Sequence, residues 1–202
     1  MRKTWFLMMA LLPTSQLAAQ SLEIMPGTQR IFADVQWLKN LDEDQQWSLF
    51  SRTRATVDYE QQTNLFSGAY LNYTTRSGFG GSLIGRISSR GGGGDVGIHF
   101  FKGKADYMIF AIVSTAIQAD WQVAWFSIMR FTPSLNRTWR LYSSLELFSN
   151  FNGAGHLASV QRMRLGLKHT HIQFGLAYNL SGLGPDYGIR DVNPGLFVRR
   201  EF

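Results

Sequence analysis

The stretch HIQFGLAYNL (171–180) turns an apolar side chain to one side at every second residue. Ile172, Phe174, Leu176, Tyr178 and Leu180 stand against His171, Gln173, Gly175, Ala177 and Asn179. A two-residue period is that of a β-strand; a helix would repeat its faces about every 3.6 residues. WRLYSSLELF sets Trp139, Leu141, Leu145 and Leu147 against Arg140, Ser144 and Glu146 in the same way. In WSLFSRTRATVDYE the apolar set is Trp47, Leu49, Ala55, Val57 and Tyr59, opposed to Arg52, Arg54, Thr56, Asp58 and Glu60.

Ten such segments recur, at 47–59, 64–75, 79–90, 94–103, 105–116, 119–132, 137–149, 157–168, 171–181 and 194–202. Their lengths suit the ~9–11 residues with which a tilted strand crosses a bilayer. No segment has the helical period or the length of a transmembrane helix. Two segments depart from clean alternation. DYMIFAIVST (106–115) is apolar on both faces, and the segment from Leu157 loses its phase near Val160, as a β-bulge would cause. RIFADVQWL (30–38) also alternates. If it packs against the barrel end or enters the lumen, ten strands are expected; if it spans, there are eleven, or twelve with one further strand. The links also alternate in character. Those at 76–78, 104, 133–136 and 169–170 face a second set at 60–63, 91–93, 117–118, 150–156 and 182–193, which contains the longest loops. Short periplasmic turns and longer outer loops belong to antiparallel up-and-down outer-membrane barrels.

A soluble barrel alternates too, with its apolar face inward; in a membrane barrel the apolar face meets lipid and the polar face lines the interior. Here the apolar faces carry Trp47, Tyr59, Tyr107, Trp121, Trp139 and Tyr178 near strand ends. An apolar ring with a polar tip suits the membrane–water boundary. The first nineteen residues have the parts of a secretory signal: Arg2 and Lys3, an apolar core from Trp5 to Leu12, and LAA before Gln20. That core is far shorter than the ~20 residues a membrane-spanning helix needs. The expected organisation is a signal peptide at 1–19, an N-terminal segment at 20–46 and a transmembrane barrel at 47–202. The absence of cysteine excludes a disulfide framework and a thiolate metal site. Loss of Arg2 and Lys3 lowers the formal net charge from +6 to +4. The remaining basic residues are dispersed inside strands, so no nucleic-acid partner is expected.

The chain ends in DVNPGLFVRREF, a final strand closing on Phe202 with Val198 and Leu196 on the same face. This resembles the terminal signal of bacterial outer-membrane barrels, which the barrel assembly machinery reads on unfolded chains. Arg200, two residues before the end, departs from that pattern, and its long side chain can reach the headgroups. With the signal peptide and the strand pattern, the chain resembles small outer-membrane barrels of the Bacteroidota. The resemblance implies residence in the outer membrane, contact with outer-membrane lipids, and Phe202 as the insertion signal.

If the apolar faces meet lipid, the interior receives Arg52, Arg54, Arg86, Arg90, Arg130, Arg140, Arg162, Arg164 and Lys168. It also receives Asp58, Glu60, Asp95, Asp120 and Glu146. Buried charges must be paired and hydrogen-bonded, so these form an expected lumen charge network. Phe50, Tyr70, Phe126 and Phe148 point the same way and obstruct a wide channel. The expected role is structural, binding or accessory, with an envelope protein complex as a partner. A narrow anion-favouring pore is the alternative, because rings of Arg and Lys attract anions; a lipid-modifying enzyme is a third reading. No catalytic set is assigned: His156 lies near Ser159 in sequence with no acid beside it, and no G-x-S-x-G elbow occurs. His169 and His171 share a strand face without a third ligand, so no metal or other cofactor is expected. RGGGGD (90–95) lacks the Lys-Ser/Thr of a phosphate loop and reads as a hairpin tip.

Deleting Phe202 is expected to reduce membrane-inserted protein in cells more than it lowers the stability of barrel refolded in detergent. Sodium carbonate extraction of envelopes, set beside a urea titration, checks this. Equal losses in the two measurements would leave Phe202 as a packing residue only.

Overall fold

The structure is a computed structural model that describes residues 20–60, 63–89, 91–117 and 121–202. The expected signal peptide, Arg90 and Asp120 lie outside the described residues. The strands are β1 (Gln20–Pro26), β2 (Arg30–Asn40), β3 (Trp47–Asp58), β4 (Thr63–Thr74), β5 (Phe79–Ser88) and β6 (Gly91–Lys104), followed by β7 (Tyr107–Ala116), β8 (Gln122–Phe131), β9 (Trp139–Asn152), β10 (Gly155–His169), β11 (Ile172–Leu183) and β12 (Gly188–Glu201). Each pairs antiparallel with its sequence neighbours. β1 pairs with β12, from Ser21 opposite Glu201 to Ile24 opposite Val198, and the sheet closes into a barrel. Closure leaves no unpaired strand edge, the condition for a sheet to sit in hydrocarbon.

Among the described residues twelve strands make the wall, the number that follows if RIFADVQWL spans and one further strand precedes it. RIFADVQWL spans as part of β2, paired with β3 from Arg30–Asp58 to Asn40–Ser48. QSLEIMP supplies β1, which is only seven residues long and ends at Pro26. Residues 20–46 therefore supply two strands of the wall. The outer links are shorter than expected. Paired strands absorb most of 182–193 and 150–156, leaving 184–187 and 153–154. The links at 41–46 and 132–138, on the end that carries Gln20 and Phe202 (the terminal end), are longer. The phase slip in β10 is a register shift between His156 and Ala158, slightly before Val160.

The outer face is an apolar band, with Ile24, Val35, Leu65, Leu83, Ile98, Leu165, Leu176 and Leu196 all exposed. Trp47, Tyr59 and Trp121 share that exposure. The inner face is filled on one side by Met25, Phe32, Tyr142, Ala177 and Phe197, which form a buried cluster. Its geometry depends on two glycines. Tyr142 lies opposite Gly166, Gly166 opposite Gly175, and Gly175 opposite Phe197, giving one inward row across β9 to β12. A Cβ on Gly166 would stand 2.0 Å from the Phe174 carbonyl oxygen, and one on Gly175 2.2 Å from that of Leu165. With both side chains absent, the rings of Tyr142 and Phe197 meet over the gap with centroids 5.6 Å apart. Aromatic rings covering sheet glycines are a recurrent way of filling such gaps. β7 is apolar on both faces for a related reason. Its outer face lies in the apolar band, while Ile112 is buried and Met108 and Phe110 line a cavity described below.

Leu176→Arg is expected to impair insertion by about 2–4 kcal/mol, the cost of a lipid-facing arginine near the midplane. Gln173, on the opposite face, is fully buried, so an arginine there meets filled space and is no neutral control. Ser48 lines the cavity, and Ser48→Arg should insert almost as well as the unsubstituted chain. Heat-modifiable gel mobility compares the two; comparable defects would mean that the faces have been assigned wrongly.

Candidate functional site

The inner wall carries the chemistry, because alternation sends most ionisable side chains midway along the strands inward. At its centre β2 supplies Asp34, β3 supplies Arg52 and Arg54, β9 supplies Glu146 and β10 supplies Arg162. Arg52 Nη2 lies 2.5 Å from Asp34 Oδ2 and 2.7 Å from Glu146 Oε2. Arg54 Nη2 and Arg162 Nη1 each lie 2.5 Å from Glu146 Oε1. Arg54 Nε also stands 3.5 Å from Asp34 Oδ1. One Glu146 carboxylate thus receives three guanidiniums, and Gln36 donates to Asp34 at 2.7 Å. In the ring order β3 and β9 are six strands apart in either direction. The Arg52–Glu146 and Arg54–Glu146 pairs therefore join opposite walls and bridge the lumen.

Rings complete this barrier. The Arg162 guanidinium carbon lies 5.1 Å from the Phe32 ring centroid, and that of Arg164 lies 5.8 Å from Phe32 and 5.9 Å from Phe197. Such arrangements are cation–π contacts, strengthened when desolvated. Arg164 also pairs with Glu23 of β1 at 2.8 Å and donates to Asn179 at 2.8 Å.

The other candidate residues stand apart from this cluster. Arg86 pairs with Asp95 at 2.6 Å on neighbouring strands, with the Arg86 side chain 35 % exposed. Asp58 lies 3.9 Å from Arg30 at the barrel end opposite the termini, where Arg30 makes a closer pair with Asp191 at 2.9 Å. Glu60 is not on the inner wall: β3 ends at Asp58, and Glu60 is exposed in the following turn, its backbone N–H donating to Asp58 Oδ1. Arg140 belongs to the rim at the terminal end. It donates to the carbonyls of Thr132 and Ala105 and pairs with Asp106 at 2.5 Å, fastening two turns together. Phe202 is exposed; its backbone N–H donates to the Gln20 carbonyl at 2.9 Å, and the Arg200 guanidinium lies 5.0 Å from its ring centroid.

Arg130 reaches Gln36 Oε1 at 3.0 Å from β8, across the lumen from β2. It lines a cavity of about 610 Å³ together with Arg199, Glu201, Phe50, Phe110 and Phe126. Gln20, Asn40, Gln45, Thr74 and His171 also line it, and these strand-end and turn residues place its mouth at the terminal end. The inner residues missed by the sequence reading, Glu23, Asp34, Gln36, Arg199 and Glu201, share one cause for the first three. They sit on β1 and β2, within residues 20–46, whose place in the wall alternation alone does not decide. For Asp34 the alternation of RIFADVQWL was the available signal.

The histidines are held singly. His99 is buried between Ser82 (2.7 Å to Nδ1) and Thr74 (2.9 Å to Nε2). His156 stacks on Tyr187 at 3.9 Å with Nδ1 2.6 Å from the Gly184 carbonyl oxygen. His169 packs on Trp139 at 4.6 Å. Among the described residues no group of three His, Cys, Asp or Glu side chains is placed to hold a metal.

No protein-family model matches the chain, and no curated protein matches its sequence. Solved structures do match in shape. A KdgM porin in complex with disordered oligogalacturonate superposes with a TM-score of 0.54 at 7% identity, covering 92% of this chain and 99% of that one. A NanC porin gives 0.51 at 10% identity, covering 90% and 98%. LpxR from Salmonella typhimurium gives 0.50 at 7% identity, covering 92% and 100%. These likenesses show the fold. The chain is an all-β, closed, antiparallel barrel of the outer-membrane type.

Glu146→Gln removes the carboxylate on which three guanidiniums converge and leaves buried charge uncompensated. It is expected to destabilise the refolded barrel by about 3–5 kcal/mol. Asp95→Asn, whose partner Arg86 is partly solvated, should cost about 1 kcal/mol or less. Urea unfolding of the two variants in liposomes checks the ranking.

Proposed function

We propose that this chain is an exported, integral outer-membrane barrel with a binding or accessory role in the envelope. Its lumen is closed at mid-height and hollow at the terminal end, the periplasmic end in the usual orientation of such barrels. The bridge from Arg52 and Arg54 on β3 to Glu146 on β9 carries this reading, because it crosses the lumen between opposite walls. Free diffusion of a solute past it would separate ion pairs whose members are both buried. A hollow below a closed mid-section suits a barrel that holds a ligand or docks a partner rather than one that conducts. Outer-membrane lipids contact the apolar band, the assembly machinery reads Phe202, and the wider partner is a complex of the envelope.

A narrow anion-favouring passage is the second reading. It is favoured by Arg130 and Arg199, which have no carboxylate within ion-pair distance among the described residues, and by the likeness to the porin solved with oligogalacturonate. A catalytic role finds less support, since His156 is engaged by a backbone carbonyl and a tyrosine ring.

The full chain in planar bilayers is expected to give no steady conductance, and mild solubilisation of envelopes should recover it within a larger complex. A steady current with a chloride-favouring reversal potential would decide for the passage.

A further inference from the structure

The cavity at the terminal end combines two features that point to one class of ligand. The first is its charge. Arg52, Arg130, Arg199 and Glu201 are the Arg, Lys, Asp and Glu side chains that line it among the described residues, beside His99 and His171. Arg52 is committed to Asp34 and Glu146, and Glu201 to Lys168 at 2.5 Å. Arg130 and Arg199 remain. Arg130 Nη2 and Arg199 Nη2 share one neutral acceptor, Gln36 Oε1, at 3.0 and 3.2 Å, and Arg199 Nη2 also donates to Ser21 Oγ at 2.8 Å. Arg199 is only 4% exposed, and the buried Nε of each arginine donates to no group among the described residues. Two guanidiniums from different walls therefore converge on one amide oxygen with donors in reserve. Buried charge is otherwise paired among the described residues of this lumen, and leaving it unpaired is costly.

The second feature is the wall beside them. Phe50, Phe110, Phe126, Met108, Ile128 and Leu38 line the same cavity. A volume of about 610 Å³ lies within the roughly 300–1,000 Å³ typical of small-molecule sites. Inorganic anions would use the arginines and leave the aromatic wall unused; a neutral apolar molecule would do the reverse.

We propose that this cavity binds a small amphipathic carboxylate, its two oxygens shared between Arg130 and Arg199 and its apolar body against Phe50, Phe110 and Phe126. A carboxylate accepts from two guanidiniums at once and forms charge-assisted bonds stronger than the neutral one to Gln36. This names the ligand class of the hollow at the terminal end and rests on the closed-barrel reading above.

The test uses the full chain in lipid nanodiscs, with empty nanodiscs subtracted, and calorimetric titration with 4-phenylbutyrate, 4-phenylbutanol and acetate. Phenylbutyrate is expected to bind saturably at one site, about tenfold or more tighter than either the alcohol or acetate. Arg199→Gln and Arg130→Gln should each weaken the acid about tenfold and leave the alcohol unchanged. Equal affinity for acid and alcohol, absence of saturable acid binding, or acid binding that survives both substitutions overturns the proposal. If a variant does not insert, the acid-to-alcohol comparison on the unsubstituted chain still decides. Conductance is recorded on the same protein. A silent barrel without acid binding rejects the ligand alone, whereas steady conductance rejects the closed barrel on which it rests.

Discussion

Everything else in this molecule depends on the seam between β1 and β12. A sheet in hydrocarbon must pair every backbone N–H and C=O, because each unpaired group costs several kcal/mol there. The seam runs through Ser21–Ile24 and Val198–Glu201, and Phe202 N–H to the Gln20 carbonyl prolongs it to the end of the chain. At the other end Gly27 bridges to Gly195, and Thr28 N–H donates to the Pro194 carbonyl. Once the ring is closed there are only two surfaces. The outer one is apolar, and every ionisable side chain midway along a strand must find its partner in the narrow interior.

Ring size then decides which partner. Arg52 and Arg54 on β3 meet Glu146 on β9 because those strands are opposite in a ring of twelve. In the ten-strand ring that begins at Trp47, the same two strands would not be diametrically opposed. This is why the faces were legible in the sequence and the network was not. Alternation in HIQFGLAYNL or WRLYSSLELF fixes which side a residue takes, and the structure places Leu176 outward and Glu146 inward accordingly. Pairing across a lumen depends on the number and tilt of all the strands, which no local pattern carries. β1 carries a weak alternation signal because it has only seven residues and ends at a proline.

The interior is divided rather than uniformly filled. On the side of β9 to β12, the Gly166–Gly175 pair lets Tyr142 and Phe197 close over the sheet, with Phe32 and Met25 against them. On the side of β3 to β8, Phe50, Phe110 and Phe126 stand around open volume. The doubly apolar β7 follows from this division. Its outer residues need lipid and its inner ones line a cavity, so no polar face is called for along most of its length.

An apolar filling would seem the cheaper way to close a lumen, since a buried ion pair often gains nothing over well-packed hydrophobic residues. What it would lose is the distinction between the two faces. A strand apolar on both sides can slip by one residue without penalty, and such a slip exchanges its faces. With Arg52, Arg54, Glu146, Arg162 and Arg164 on alternate positions, a slip of one carries these charges into the lipid. A lipid-facing arginine near the midplane alone costs about 2–4 kcal/mol. The strands that carry the central network, β2, β3, β9 and β10, pair in unbroken register where its members lie, and the shift in β10 falls between His156 and Ala158, beyond its inner charges. The charges therefore act on register as well as on closure. β7, which carries no ionised side chain between Tyr107 and Ala116, depends on its neighbours for its phase.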